Sequence, residues 1–159
     1  MSNLKVKIVT LPPMRVICFN GFGPSPEGLA FDKVKDWLKA NGMWEKLDEH
    51  RFFGYNNPDP SPGSPNYGYD VWVTVDETVQ AGGDGRIIDF PGGLYAVAHV
   101  DAGPQGQGIY ETWQALAAWV EHSKYKAEYC SRPCLEESPE PFKGDPNGFA
   151  LELYEPIRE

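Results

Sequence analysis

The chain repeats a pattern. Residues 11–38, LPPMRVICFNGFGPSPEGLAFDKVKDWL, and residues 90–120, FPGGLYAVAHVDAGPQGQGIYETWQALAAWV, share one order of features. An apolar residue precedes a proline (Leu11-Pro12, Phe90-Pro91), an apolar strand runs to Gly-Pro (Gly23-Pro24, Gly103-Pro104), and a helical pattern closes on Trp-apolar (Trp37-Leu38, Trp119-Val120). From proline to tryptophan the spacing is 25 residues in the first copy, Pro12 to Trp37, and 28 in the second, Pro91 to Trp119. Self-similarity on this scale predicts two related lobes about a pseudo-twofold axis. A cleft between such lobes suits a small ligand.

At 159 residues the chain has room for one domain, residues 1–159, with an internal repeat of about 5–76 and about 86–156. Five Trp and eight Tyr supply apolar area with polar tips, useful in a core and in a pocket wall alike. Fourteen basic against twenty-three acidic side chains leave a net charge of −9, the wrong sign for a phosphate backbone. Direct nucleic-acid binding is therefore not expected, and a cationic partner fits the charge better. The start, MSNLKVKIVTL, lacks a signal-peptide pattern, and no apolar run is long enough to span a bilayer, so a cytoplasmic protein is expected. An odd set of cysteines, Cys18, Cys130 and Cys134, argues against a disulfide framework.

Alternation, or an apolar, β-branched or aromatic run, predicts strands over 5–9, 15–20, 51–55, 69–75, 94–100, 134–136 and 149–154, with 86–90 leading into the second copy. Leu29, Phe31, Val34 and Leu38 predict a helix over 27–40, ended by Asn41-Gly42. Ile109, Trp113, Leu116 and Val120 predict a second over 107–123. Four prolines within 56–66 make that stretch a loop, and another loop is expected through Asp145-Pro146-Asn147-Gly148. Each half reads strand, helix, strand, strand: an α+β fold with a mainly antiparallel sheet.

Among chemistry-bearing residues Glu136 stands out. It follows Pro133-Cys134-Leu135 on an expected strand, where one alternation turns it inward and the other leaves it in water beside Glu137. His99-x-Asp101 reads as a surface pair, since no nucleophile is placed near it. Cys130-x-x-x-Cys134 with three scattered histidines does not match a structural zinc spacing, so no metal and no cofactor are expected. Gly21-x-Gly23 and Gly82-Gly83-x-Gly85 lack the rest of a nucleotide fingerprint and read as turns.

Four segments in register then carry a resemblance: Phe53-Gly54-Tyr55-Asn56-Asn57-Pro58-Asp59, Tyr69-Asp70-Val71, Pro91-Gly92-Gly93-Leu94-Tyr95-Ala96-Val97 and Pro133-Cys134-Leu135-Glu136. From about Lys5 to Ile157 the chain resembles the GyrI-like small-molecule-binding domain. That domain is the effector-binding half of bacterial multidrug-sensing AraC- and MerR-type transcription regulators, and it also occurs alone in gyrase-inhibitory proteins. The resemblance implies two strand-helix-strand-strand lobes in one sheet, helices on one side, and a central aromatic groove with an acidic residue at its base. By motif position that residue corresponds to Glu136, and the walls to Phe31, Phe53, Tyr110 and Phe149, with Tyr95 and Trp113 nearby. Ser138 stands where many relatives have Tyr, and phenylalanine at 31 and 149 makes the groove drier.

What this implies is a stand-alone binding protein for aromatic or lipophilic cationic compounds. One alternative is a hydrolase of reactive cyclopropane-type compounds in the same pocket, with Glu136 as general base and Tyr110 assisting. Another is a DNA gyrase inhibitor, whose partner would be a protein.

Overall fold

This computed structural model describes residues 4–143 and 146–159. Gly144 and Asp145 of the expected C-terminal loops, and the first three residues, lie outside them. In chain order the elements are strands β1 (Val6–Leu11) and β2 (Met14–Gly23), helix α1 (Pro26–Ala40), a 3-10 helix (Trp44–Glu49), and strands β3 (Phe52–Asn56), β4 (Tyr67–Thr74), β5 (Arg86–Phe90) and β6 (Gly93–Ala102). Helix α2 (Ile109–Glu121) and strands β7 (Lys126–Ala127), β8 (Leu135–Glu137) and β9 (Phe149–Arg158) complete the chain. The fold is α+β, and every described strand pair within a unit is antiparallel. None of the described helices is long and apolar enough to cross a membrane.

The chain divides into two compact units, one of residues 13–91 and one that joins Gly92–Glu159 to the segment ending at Pro12. In the first unit the strands lie in the order β3-β4-β2-β5; in the second, β8-β9-β6-β1, with β7 also on β9. The two orders correspond strand for strand. A ten-residue strand (β2, β6) leads to the helix, and a later strand (β4, β9) returns to pair with it. The fourth strand differs in origin. β1 runs into β2 through Pro12-Pro13, yet pairs with β6; β5 runs into β6 through Pro91-Gly92, yet pairs with β2. Each sequence repeat thus opens with an edge strand that pairs with the long strand of the other repeat, inside that strand's unit.

In the first unit, α1 starts at Pro26, whose missing N–H is no loss in the first turn, and stops before Gly42 at φ 70°. Ala30, Val34 and Leu38 are fully buried, whereas Leu29 of the expected stripe is 47% exposed, because helical spacing from Val34 turns Ala30 inward in its place. Gly21 lets the helix approach: a Cβ there would lie 2.3 Å from the Pro26 carbonyl oxygen and 2.7 Å from the Ala30 nitrogen. This need for contact explains why β2 continues through Gly21–Gly23, which the glycines had placed in a loop.

In the second unit, α2 follows Gly108 at φ 93° and lays Leu116 and Val120 on Ala96, Ala98, Val100, Leu151, Leu153 and Ile157. Burying each of those two side chains is worth about 1.5–3 kcal/mol. β9 extends four residues past its expected end, through Pro156, whose carbonyl accepts from the Glu128 N–H at 2.9 Å. Three elements were not expected from the sequence: the 3-10 helix, β5, and β7, which pairs Lys126 with Arg158 and Ala127 with Ile157.

Candidate functional site

On β8, Glu136 stands directly opposite Leu153 of β9, which stands opposite Ala98 of β6. Residues opposed in this way share a face, and Leu153 and Ala98 belong to the cluster under α2. Glu136 therefore projects on the α2 side. It is half-buried, and Trp113 of α2 donates its indole Nε1–H to Glu136 Oε2 at 3.2 Å. Alternation sends Glu137 to the other face, where it accepts from the Tyr154 hydroxyl at 2.6 Å. Of the two readings open from the sequence, the geometry takes the helix-facing one.

Tyr110 lies three residues before Trp113 on the first turn of α2; its ring is 68% exposed, and Gln114 Nε2 donates to its hydroxyl at 3.1 Å. Phe149 opens β9 on the same face as Leu151 and Leu153, is 43% exposed, and lines an open recess of about 520 Å³ with Asp101, Pro139 and Lys143. The second unit thus places Glu136, Trp113, Tyr110 and Phe149 on the α2 side of one sheet.

Tyr95 is elsewhere. It is fully buried on the face away from α2, donates its hydroxyl to the Pro133 carbonyl at 3.0 Å, meets the Tyr154 ring edge-on at 5.7 Å, and carries the Arg132 guanidinium over its own ring at 5.0 Å. Within the first unit, Phe31 is half-buried on the flank of α1 beside the inward Ala30. Phe53 is 1% exposed and opposite Trp72, on the sheet face away from α1, with Arg51 over its ring at 5.0 Å.

Asp70 belongs to the Tyr69-Asp70-Val71 segment. It is fully buried on β4 and gathers three donors: Asn20 Nδ2 at 2.7 Å, Asn57 Nδ2 at 3.0 Å and Arg86 at 3.1 Å. Burial, then the Asp70 charge, pushes the Cys18 thiol and the Tyr55 phenol each up to about 12. Such a thiol stays protonated and unreactive at neutral pH. The cluster reads as a polar lock, and the residue type at position 70 alone gave no sign of its burial. His99 is an exposed bridge between Asp101, 2.9 Å from its Nε2, and Glu152, and hydrogen bonds to Glu152 and then Asp101 raise its pKa. Among the described residues no His, Cys, Asp and Glu gather as a metal site.

The comparisons with known proteins bear on this arrangement. The model of the Cass2 family, integron-associated effector binding proteins, matches residues 7–157. The chain belongs to that family. No curated protein matches it. Among solved structures, EcmrR in a complex with DNA superposes with a TM-score of 0.71 at 13% identity, over 98% of this chain and 58% of that one. The chain thus spans somewhat over half the length of EcmrR. A hydrolase from Listeria innocua superposes at 0.70, with 12% identity over 97% and 92% of the two chains. SAV2435 bound to tetraphenylphosphonium does so at 0.56, with 12% identity over 97% and 94%. At these identities the likeness is one of fold. A family of effector-binding proteins agrees with the small-molecule reading that the GyrI-like resemblance carried.

Proposed function

We propose that this effector-binding protein takes aromatic, lipophilic cations, with Glu136 as the charge partner and Trp113 and Tyr110 of α2, together with Phe149, as ring contacts. One observation carries the reading: a half-buried carboxylate on the helix side of β8, steadied by an indole N–H at the margin of an apolar cluster. Such a carboxylate offers a delocalised cation a charge in a medium of lowered dielectric, while rings offer area and a negative face. Selectivity would follow size and charge more than directed hydrogen bonds. That SAV2435, of the same fold, binds tetraphenylphosphonium supports the ligand class.

The test is a fluorescence titration of the wild type and Glu136→Gln with tetraphenylphosphonium and with neutral triphenylphosphine oxide. Loss of one charge-assisted contact should cost the cation about 1–3 kcal/mol and leave the neutral probe unchanged. Equal losses for both probes would make Glu136 a structural residue. Conversion of a reactive cyclopropane compound, read by mass spectrometry, would move the chain to the hydrolase reading.

A further inference from the structure

The inward row of β9 is Phe149, Leu151, Leu153, Glu155 and Ile157. Four of the five are apolar; the exception, Glu155, is 2% exposed, in register with fully buried Ala96. A carboxylate in a row under a helix costs free energy that leucine would not. It stands where the packing opens. A cavity of about 380 Å³ at the carboxyl end of α2 is lined by Val120, Glu121, Tyr125, Lys126, Tyr129 and Glu155.

We propose that this cavity is a second ligand site, for a small organic ammonium ion, with Glu155 as its anchor and Tyr125 and Tyr129 as its aromatic walls. Its volume lies at the small end of ligand pockets, which suits a single ring with a charged arm and not a polyaromatic cation. Its charge has the required sign. Glu155 and Glu121 oppose Lys126 alone, and the last turn of α2 carries no basic side chain against the negative end of the helix dipole. Tyr129 hydrogen-bonds Glu155 and is itself 57% exposed, which places it at the mouth, reachable by an entering ligand. An anion would meet two carboxylates there, and a neutral ring would add nothing to the Tyr129 hydrogen bond that Glu155 already has.

Burial holds the Glu155 carboxyl above its ordinary range, against a smaller opposing effect of the Tyr129 hydrogen bond. The groups facing it are Glu121 on α2, Lys126 on β7, and Tyr125 and Tyr129 on the segments beside them. Glu155 must be ionised to hold a cation, so affinity should rise with pH through that raised value and level off above it. The site is separate from Glu136 and stands whether or not Glu136 binds anything.

The experiment is an NMR titration of the 15N-labelled protein with benzylammonium at neutral pH, with benzyl alcohol as the uncharged control. Saturable shifts of the Ala127, Tyr129 and Glu155 amides, without movement of the Trp113 indole N–H, are expected. Glu155→Gln should lower the affinity at least about tenfold, and Lys126→Glu should raise it a few-fold. The lysine variant keeps the test open should Glu155→Gln fail to fold. Absence of saturable shifts in this cavity, equal response to benzyl alcohol, or affinity unchanged in Lys126→Glu would overturn the proposal.

Discussion

Trp113 and Glu136 join helix to sheet by one hydrogen bond, the indole Nε1–H of α2 reaching the carboxylate of β8 at 3.2 Å. Both residues sit at the edge of the buried cluster, where a polar pair is half wet and half enclosed. That position makes the carboxylate available and fixes its direction.

Trp113→Phe keeps a ring in place and removes the donor. Tetraphenylphosphonium affinity should fall by about 0.5–1.5 kcal/mol, the worth of one such hydrogen bond, with the fold intact. Fluorescence anisotropy of a competing dye would show it, and unchanged affinity would separate the indole from the binding task.

Asp70→Ala takes a buried acceptor from two asparagine amides and from the Arg86 guanidinium, whose side chain is 53% exposed. Water can solvate the exposed guanidinium in the variant, so the loss is that of hydrogen bonds to a charged acceptor, about 1.5–3 kcal/mol. Urea denaturation should show the loss, and Asp70→Asn should recover part of it by keeping an acceptor oxygen.

Gly21→Ala drives a methyl into the backbone of α1, 2.3 Å from the Pro26 oxygen. Neither backbone atom there is the end of a flexible side chain, so helix or strand must shift. A loss of about 1–3 kcal/mol is expected, visible as a lowered melting temperature. Gly28→Ala on the same helix meets nothing within 4 Å and serves as the control.

His99 gives the pH prediction. Its pKa is raised above 6.5 by hydrogen bonds to Glu152 and Asp101. A raised basic group stabilises the fold below its unfolded pKa, and that stabilisation is lost as pH climbs through the folded value. His99→Gln should therefore lower the melting temperature more at pH ~6 than at pH ~9. The side chain is half exposed, so the difference should be about 0.5 kcal/mol or less.

Much of the fold was legible because its signals are local. Val34 and Leu38 of the expected stripe face inward on α1, β-branched and aromatic content marks β4, and alternation marks the start of β9. The exchange of β1 and β5 was not legible, because six-residue alternation in VKIVTL marks a strand and says nothing of its partner. At the site, Glu136 could be singled out by type, but its face depends on the register with Leu153, a pairing seventeen residues away. Tyr95 and Phe53 carry the right chemistry for a wall, yet alternation puts each on the sheet face away from its unit's helix. Glu155 was visible as a break in an apolar row only once the strand was known to continue past Tyr154.

The traded edge strands have a consequence for how this chain can be divided or shuffled. Cut between the repeats, at about residues 77–85, one fragment keeps β1 with no β6 to receive it and leaves the margin of β2 bare, and the other keeps β5 with no β2 and leaves the margin of β6 bare. An open margin of that kind invites pairing with other chains. The halves are copies in pattern but dependants in wiring, so a duplicated ancestor could not shed either one without unravelling the border of what remained.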